Sequence, residues 1–196
     1  NSRITANNSS TFLSLQSRYI NLALHYLYLL CSSQINEKPK RDKNKINREN
    51  DMHSIFISGA AQGIGAAIAT LFYQHGYKVG IYDINAVQAQ KLAQQLGPQA
   101  KAGLLDVSNY SQWQQALNEF QAWAGEINVL VNNAGILYSG AFEQTDITAH
   151  HRTIDINVKG VLNGCHAALP FLKQASFARV INLSSASAIY GQADLV

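Results

Sequence analysis

Ser58-Gly59-Ala60-Ala61-Gln62-Gly63-Ile64-Gly65 is the stretch on which the reading of this chain turns. It stands between the apolar run Ile55-Phe56-Ile57 and a stripe at i, i+3, i+4, i+7 and i+8 made by Ile64, Ala67, Ile68, Leu71 and Phe72. The run suits a strand buried on both faces; the stripe suits an amphipathic helix that His75-Gly76 brings to an end. Glycines at such a strand-to-helix turn let the backbone bend tightly and approach an anion without interference from Cβ atoms. The helix then points its unpaired N–H groups and positive dipole end at that anion, most simply the pyrophosphate of a dinucleotide. The spacing is GxxxGxG rather than GxGxxG, and a glycine triplet alone is weak evidence because many turns hold several glycines.

The same strand–helix rhythm repeats outward from the loop. Val79-Gly80-Ile81-Tyr82 reads as a second strand, and Ala89, Leu92, Ala93 and Leu96 stripe a second helix ended by Gly97-Pro98. Ala102 to Val107 reads as a third strand. Trp113, Ala116, Leu117, Phe120 and Ala124 stripe a third helix, with both aromatics taken as core rather than as a stacking platform for bases. Ile127 to Val131 reads as a fourth strand. Ile154, Val158, Val161, Leu162, Cys165, Leu169 and Leu172 stripe one long fourth helix, and Arg179 to Leu183 a fifth strand. Strict alternation with short connections implies parallel strands joined by right-handed crossovers: an α/β, three-layer αβα, doubly wound parallel sheet, here reaching about its fifth strand.

Asp83 ends the second strand a little over 20 residues past the loop, where a carboxylate can accept hydrogen bonds from the adenosine ribose hydroxyls. A helix-capping Asp is the competing reading, and the glycine loop favours the ribose. The same carboxylate would repel a 2′-phosphate, and no Arg stands nearby to receive one, so NAD is expected in preference to NADP.

The net charge of +3 would suit an acidic partner, but it is unevenly placed. Through Asp51 eight Lys/Arg face four acids; from Met52 on, seven face eight, and no helix there carries the basic stripe of a nucleic-acid-binding domain. Residues 1–51, with the charged stretch Lys38-Pro39-Lys40-Arg41-Asp42-Lys43, read as a disordered or spurious extension, and Met52 as the authentic start. Tyr19 to Cys31 is too short an apolar run to span a membrane and lacks a small-x-small cleavage pattern. Cys31 and Cys165 make no metal or CxxC spacing, and the adjacent His150 and His151 point apart on a helix, so no metal is expected and a reduced, cytoplasmic setting is.

Residues 52–196 resemble the first part of a classical short-chain dehydrogenase/reductase, a family built on a single Rossmann domain. The GxxxGxG loop is the family's form. Leu105-Asp106-Val107 is similar to its adenine-contacting stretch, and Asn132-Asn133-Ala134-Gly135 to its NNAG signature. Asn157-Val158-Lys159-Gly160 is similar to the segment with its catalytic Asn, and Val180-Ile181-Asn182-Leu183-Ser184-Ser185 to the strand delivering its catalytic Ser. The resemblance implies an incomplete NAD(P)-binding domain over 52–196 that interconverts a small-molecule alcohol and carbonyl by hydride transfer. Catalytic roles fall on Ser185 and Asn157, and cofactor contacts on Gly59, Gln62, Gly63, Ile64, Gly65, Asp83, Asp106, Val107, Asn133, Ala134 and Gly135. Asn157 would keep a water in the proton relay.

The family's Tyr-x-x-x-Lys pair falls about a dozen residues past the serine, beyond Val196. Tyr190 comes only five residues after Ser185, with Asp194 four further on, and is rejected as the base. A polypeptide of these 196 residues is therefore expected to be nearly inactive, with its fifth strand an open edge and without the homo-oligomer that two long helices give intact members. A non-catalytic NAD-binding module is the alternative; Ser185 and Asn157 weigh against it. Substrate selectivity is not readable, although Tyr138, Ser139 and Phe142 are placed to border a pocket.

Overall fold

A computed structural model describes residues 52–185; the expectations for residues 1–51 and for Tyr190 lie outside the described residues. In chain order the elements are β1 (Ser54–Ser58), α1 (Gly63–Gln74), β2 (Lys78–Asp83), α2 (Ala86–Leu96), β3 (Ala100–Leu104), α3 (Tyr110–Ala124) and β4 (Val129–Asn132). There follow a short 3-10 turn (Phe142–Gln144), α4 (Ile147–Ile154), a π-turn (Asp155–Lys159), α5 (Gly160–Leu172) and β5 (Arg179–Asn182). The strands form one parallel sheet in the order β3-β2-β1-β4-β5. The chain winds one way from β1 to β3 and the other way from β4 to β5, so the order reverses between β1 and β4. In such a sheet the crevice for a ligand opens at that switch point, at the C-terminal ends of the strands.

β1 is the central strand and all five of its residues are buried, as its unbroken apolar run requires. Phe56 stacks on Tyr82 of β2 at 4.3 Å between centroids and meets Phe120 of α3 edge-on at 5.5 Å; Trp113 closes the cluster at 5.8 Å. The α3 stripe is buried at every position expected, from Trp113 to Ala124. Burial, with the nearby Glu119 charge, pushes the Tyr82 phenol well above its ordinary pKa.

At the N-terminal edge of the sheet Glu126 ties three segments together. It accepts from the Ser176 N–H at 2.9 Å, the Ser176 hydroxyl at 2.9 Å and Asn128 Nδ2 at 3.0 Å, while Asn128 Oδ1 accepts from the Ser54 N–H at 2.8 Å. Burial alone would raise the Glu126 pKa. The Ser176 and Asn128 hydrogen bonds, with His53 nearby, outweigh it and hold the carboxyl below its ordinary value.

Four expectations are corrected. The third strand spans Ala100–Leu104, not Ala102–Val107, because its pairing with β2 ends at Asp83↔Leu104 and the Asp106 turn follows at once; the fourth is likewise shifted, to Val129–Asn132. The α1 stripe is displaced by one residue: Gly65, Ile68, Ala69 and Phe72 face the core, and Ile64 is 47% exposed. The single long fourth helix is two helices joined by the π-turn, and its large apolar residues do not mark the core face. Gly160, Gly164, Ala167, Ala168 and Leu172 do, while Ile154, Val158, Leu162 and Leu169 are exposed. Size decides this. A Cβ on Gly164 would sit 2.8 Å from the Trp113 ring, so only the small-residue face can approach α3.

Candidate nucleotide-binding site

The loop between β1 and α1 takes its shape from its glycines. Gly59 has φ +65° and Gly63 φ +57°, conformations that residues bearing a Cβ adopt at a cost. A Cβ on Gly59 would lie 2.6 Å from Ala134 Cα, and one on Gly65 would strike the Gly59 carbonyl and lie 2.6 Å from Asn133 Nδ2. Gly63 instead faces open space, with nothing within 4 Å of its notional Cβ. The first and third glycines thus permit close packing, and the middle one leaves room where a ligand would approach.

The N-termini of α2, α3 and α4 are capped by side chains, whereas α5 runs on directly from the π-turn without one. Asn85 accepts from the Gln88 N–H ahead of α2, Asn109 from the Gln112 N–H ahead of α3, and Asp146 from the Thr148 N–H ahead of α4. The α1 N-cap, Gln62, makes no such bond, and the first turn of α1 holds no acidic residue. The first-turn N–H groups and the positive end of a 12-residue helix are left facing the cleft, the arrangement that receives a phosphate.

Asn133 holds the loop in place. Its Nδ2 donates to the Gly59 carbonyl at 2.7 Å and the Ser58 carbonyl at 3.1 Å, while the Ser58 hydroxyl accepts from the Asn133 and Ala134 N–H groups at 3.2 and 3.3 Å. The neighbouring Asn132 is buried and donates to Asn182 Oδ1 at 2.8 Å, joining β4 to β5. Asp83 Oδ2 accepts from the Ala61 N–H at 3.0 Å and Oδ1 from the Asn85 N–H at 2.9 Å, so the carboxylate is fixed at the loop's side. Asp106 Oδ1 accepts from the Ser108 N–H at 2.9 Å and its hydroxyl at 2.7 Å, which folds the turn after β3 and presents Val107.

These segments enclose a cleft of about 430 Å³ that runs along the C-terminal ends of β1, β2, β3 and β4. Gly59, Gln62, Gly63, Ile64, Asp83, Asp106, Val107, Asn133, Ala134 and Gly135 all line it, and Gly65 packs beneath the loop. Leu105, from the stretch likened to the adenine contact, lines it as well, and Ile84, Ile136, Arg152 and Ile156 line it too and were missed. Ile84 and Ile136 adjoin residues already singled out. Arg152 and Ile156 lie one helical turn apart, an i, i+4 signal legible only once α4 is known to pass over the cleft.

Asn157 sits in the π-turn with both ends of its amide committed. Oδ1 accepts from the Ile136 N–H at 2.9 Å and Nδ2 donates to the Ile136 carbonyl at 2.8 Å, pinning the segment after Gly135 to the helix. Ser185 lies three residues past β5, whose partner strand in the register Asn132↔Asn182 is β4, so it stands at the same edge of the sheet as the glycine loop. A second cavity of about 480 Å³, bordered by Ser108, Tyr138, Thr148, Ala149, His151, Arg152, Asp155 and Ile156, adjoins the cleft. Of the residues placed to border a substrate pocket, Tyr138 lines this cavity. Among the described residues no group of His, Cys, Asp and Glu could hold a metal ion, and no helix is long and apolar enough to cross a membrane.

Known proteins with the same plan agree with this geometry. The chain is 35% identical over 144 residues to a trans-4-hydroxycyclohexanecarboxylate dehydrogenase of Sinomonas cyclohexanicum, covering 69% of this chain and 55% of that protein. It is 35% identical over 135 residues to a 3-alpha-(or 20-beta)-hydroxysteroid dehydrogenase of Mycobacterium bovis, covering 69% and 52%. The chain spans about half the length of these curated relatives. Among solved structures, a 3-ketoacyl-(acyl-carrier-protein) reductase from Brucella melitensis complexed with NADH superposes with a TM-score of 0.70 at 26% identity, over 72% of this chain and 60% of that one. The family model described as short chain dehydrogenase matches residues 53–196, and this chain belongs to the short-chain dehydrogenase family.

Proposed function

We propose that residues 52–196 form the nucleotide-binding part of a nicotinamide-dependent oxidoreductase that interconverts an alcohol and a carbonyl, with NAD preferred over NADP. The observation that carries this is the uncapped N-terminus of α1 beneath a glycine loop clamped by Asn133. The residues present fit a dinucleotide. The loop offers backbone N–H groups and an unobstructed approach at Gly63, and Asp83 offers a fixed carboxylate for a ribose diol. The Brucella reductase, solved with NADH, supports the same assignment.

When bound, the nicotinamide donates or accepts the hydride. The chain's own residues do the rest. Gly59, Gln62 and Gly63 bind the pyrophosphate, Asp83 the adenosine ribose, and Val107 with Leu105 borders the adenine. Ser185 holds the substrate oxygen at the sheet's C-terminal edge. Asn157 secures Ile136 and with it the floor of the nicotinamide end. Proton exchange with the substrate oxygen falls to the Tyr and Lys that the family places beyond the serine. The exposed apolar residues of α5, Leu162 and Leu169, suit a contact with a second subunit.

The reading is tested by titrating the chain with NADH and with NADPH and following cofactor fluorescence. A carboxylate about 4 Å from a 2′-phosphate costs on the order of a few kcal/mol at the dielectric of a protein surface, so NADPH should bind more than tenfold more weakly. Equal binding would remove the NAD preference. Binding of neither would overturn the nucleotide assignment.

A further inference from the structure

Resting on the nucleotide reading above, we propose that Arg152 is a further cofactor-binding residue, its guanidinium lying against the adenine ring of the bound dinucleotide. If the loop and α1 hold the pyrophosphate and Asp83 the adenosine ribose, the base must lie beyond Asp83, among Ile84, Leu105, Asp106 and Val107. The start of α5 is anchored on this stretch. Asn163 Nδ2 donates to the Val107 carbonyl at 3.1 Å, and a Cβ on Gly160 would lie 2.8 Å from Val107 Cγ2. One turn earlier Ile156 reaches the cleft, and one turn before that, Arg152. Both residues line the cleft and also the second cavity, which is bordered by Ser108, directly after Val107, and by Tyr138. The anchoring of Gly160 and Asn163 on Val107 sets this partition beside the stretch assigned to the base.

Charge singles out Arg152 within that partition. The ionisable groups lining the cleft are Asp83, Asp106 and Arg152, and Arg152 alone is a cation. Asp106 Oδ1 is taken up by Ser108, and the Asp155 carboxylate one turn along is paired with Lys159 at 2.6 Å. Arg152 forms no direct salt bridge among the described residues, and its charge acts on Asp155 only at longer range than that of Lys159. A planar, weakly hydrated guanidinium beside an apolar border of Ile84, Leu105, Val107 and Ile156 is suited to the face of an aromatic base.

The test compares wild type with Arg152→Ala and Arg152→Gln, using NADH, AMP and reduced nicotinamide mononucleotide as probes; AMP is read by competition with NADH. Arg152 is exposed, and far-UV circular dichroism checks that the variants fold. A cation over an aromatic ring is worth roughly 3- to 30-fold in affinity. NADH and AMP should weaken by the same factor within that range in both variants, while reduced nicotinamide mononucleotide, which has no adenine, binds as to wild type. Unchanged AMP affinity in variants of a wild type that binds NADH would overturn this inference and leave the nucleotide reading standing. An equal loss for the mononucleotide would assign Arg152 to phosphate attraction and overturn it as well. A wild type that binds none of the three would overturn both.

Discussion

Replacing Gly65 by Ala should damage both the fold and the site, by an amount that can be worked from its surroundings. The new methyl would run into the Gly59 carbonyl oxygen and lie 2.6 Å from Asn133 Nδ2 and 2.9 Å from Ala60 Cα. Two of these contacts are backbone atoms of the glycine loop, and the third is the side chain that clamps it, so nothing flexible can step aside. Overpacking of this kind costs about 1–3 kcal/mol. Relief would come from lifting the loop away from α1, which stretches the 2.7 Å bond from Asn133 to the Gly59 carbonyl. A hydrogen bond of this sort contributes about 0.5–1.5 kcal/mol. At about 3–5 °C of melting temperature per kcal/mol for a domain of this size, the midpoint should fall by roughly 5–20 °C. NADH affinity should fall at least tenfold, because the loop amides no longer converge on one point. Gly63→Ala is the control for stability alone, because its methyl would stand where the pyrophosphate approaches. Its φ of +57° makes Ala cost about 1–2 kcal/mol in backbone strain, yet no atom lies within 4 Å, so the loop stays in place. Thermal unfolding of both variants and fluorescence titration of Gly65→Ala decide the matter. If Gly65→Ala binds NADH as tightly as wild type, the loop is not held by that packing and the reasoning fails.

Three further outcomes follow from particular bonds. Asp83→Ser should weaken NADH and narrow or reverse the margin over NADPH, read from the ratio of the two dissociation constants; an unchanged ratio would detach Asp83 from selectivity. Asn133→Ala removes two bonds to loop carbonyls and should cost about 1–3 kcal/mol in urea unfolding together with a loss of NADH affinity, whereas a loss of stability alone would make the clamp irrelevant to binding. Glu126→Gln tests the sheet's N-terminal edge. Because the folded carboxyl is held below the unfolded value of about 4.3, its contribution is fully present above that pH and fades as pH falls through the lower folded value. The stability gap between wild type and variant should therefore be widest near pH 7 and shrink below about pH 4. A gap that stays constant down to about pH 3 would show that the charge is not what matters.

How far the sequence carried depends on what each signal measures. Alternating strand and helix patterns report burial on both faces of a sheet, and those elements and their parallel order came through because the pattern had no competing explanation. α3 was legible to the residue, since Trp113, Leu117 and Phe120 anchor its buried stripe and nearly all of its exposed positions are polar. The α4–α5 region was misread for a physical reason: its helices are apolar on two sides, and hydropathy favoured Val158, Leu162 and Leu169 over Gly160, Gly164 and Ala167. Steric access to Trp113, which hydropathy does not report, chose the small residues for the core face. The break at Asp155–Lys159 was invisible for a related reason. A π-turn inserts one residue without changing composition, and no Pro or Gly marks its interior.

Some site residues only border the cleft and others also hold neighbouring backbone in place, and sequence alone does not separate the two. Gly63, Ile64 and Val107 border the cleft. Asn133, Asp106 and Asn157 have side chains occupied by backbone groups of this chain: two carbonyls of the Gly59 loop, the Ser108 amide, and both polar atoms of Ile136. Asn157 is the clearest instance. An amide that both donates to and accepts from one residue 21 positions away ties a helix to a loop by two bonds, and a carboxamide suits that task because one of its atoms accepts while the other donates. The residue type is then demanded by the loop after Gly135 as much as by any reaction. Asn157→Asp, which keeps the acceptor and loses the donor, separates the two demands. If positioning is its role, the substitution should raise the amide exchange rate of Ile136 and its neighbours even with no substrate or cofactor present; unchanged exchange would return Asn157 to a purely chemical role.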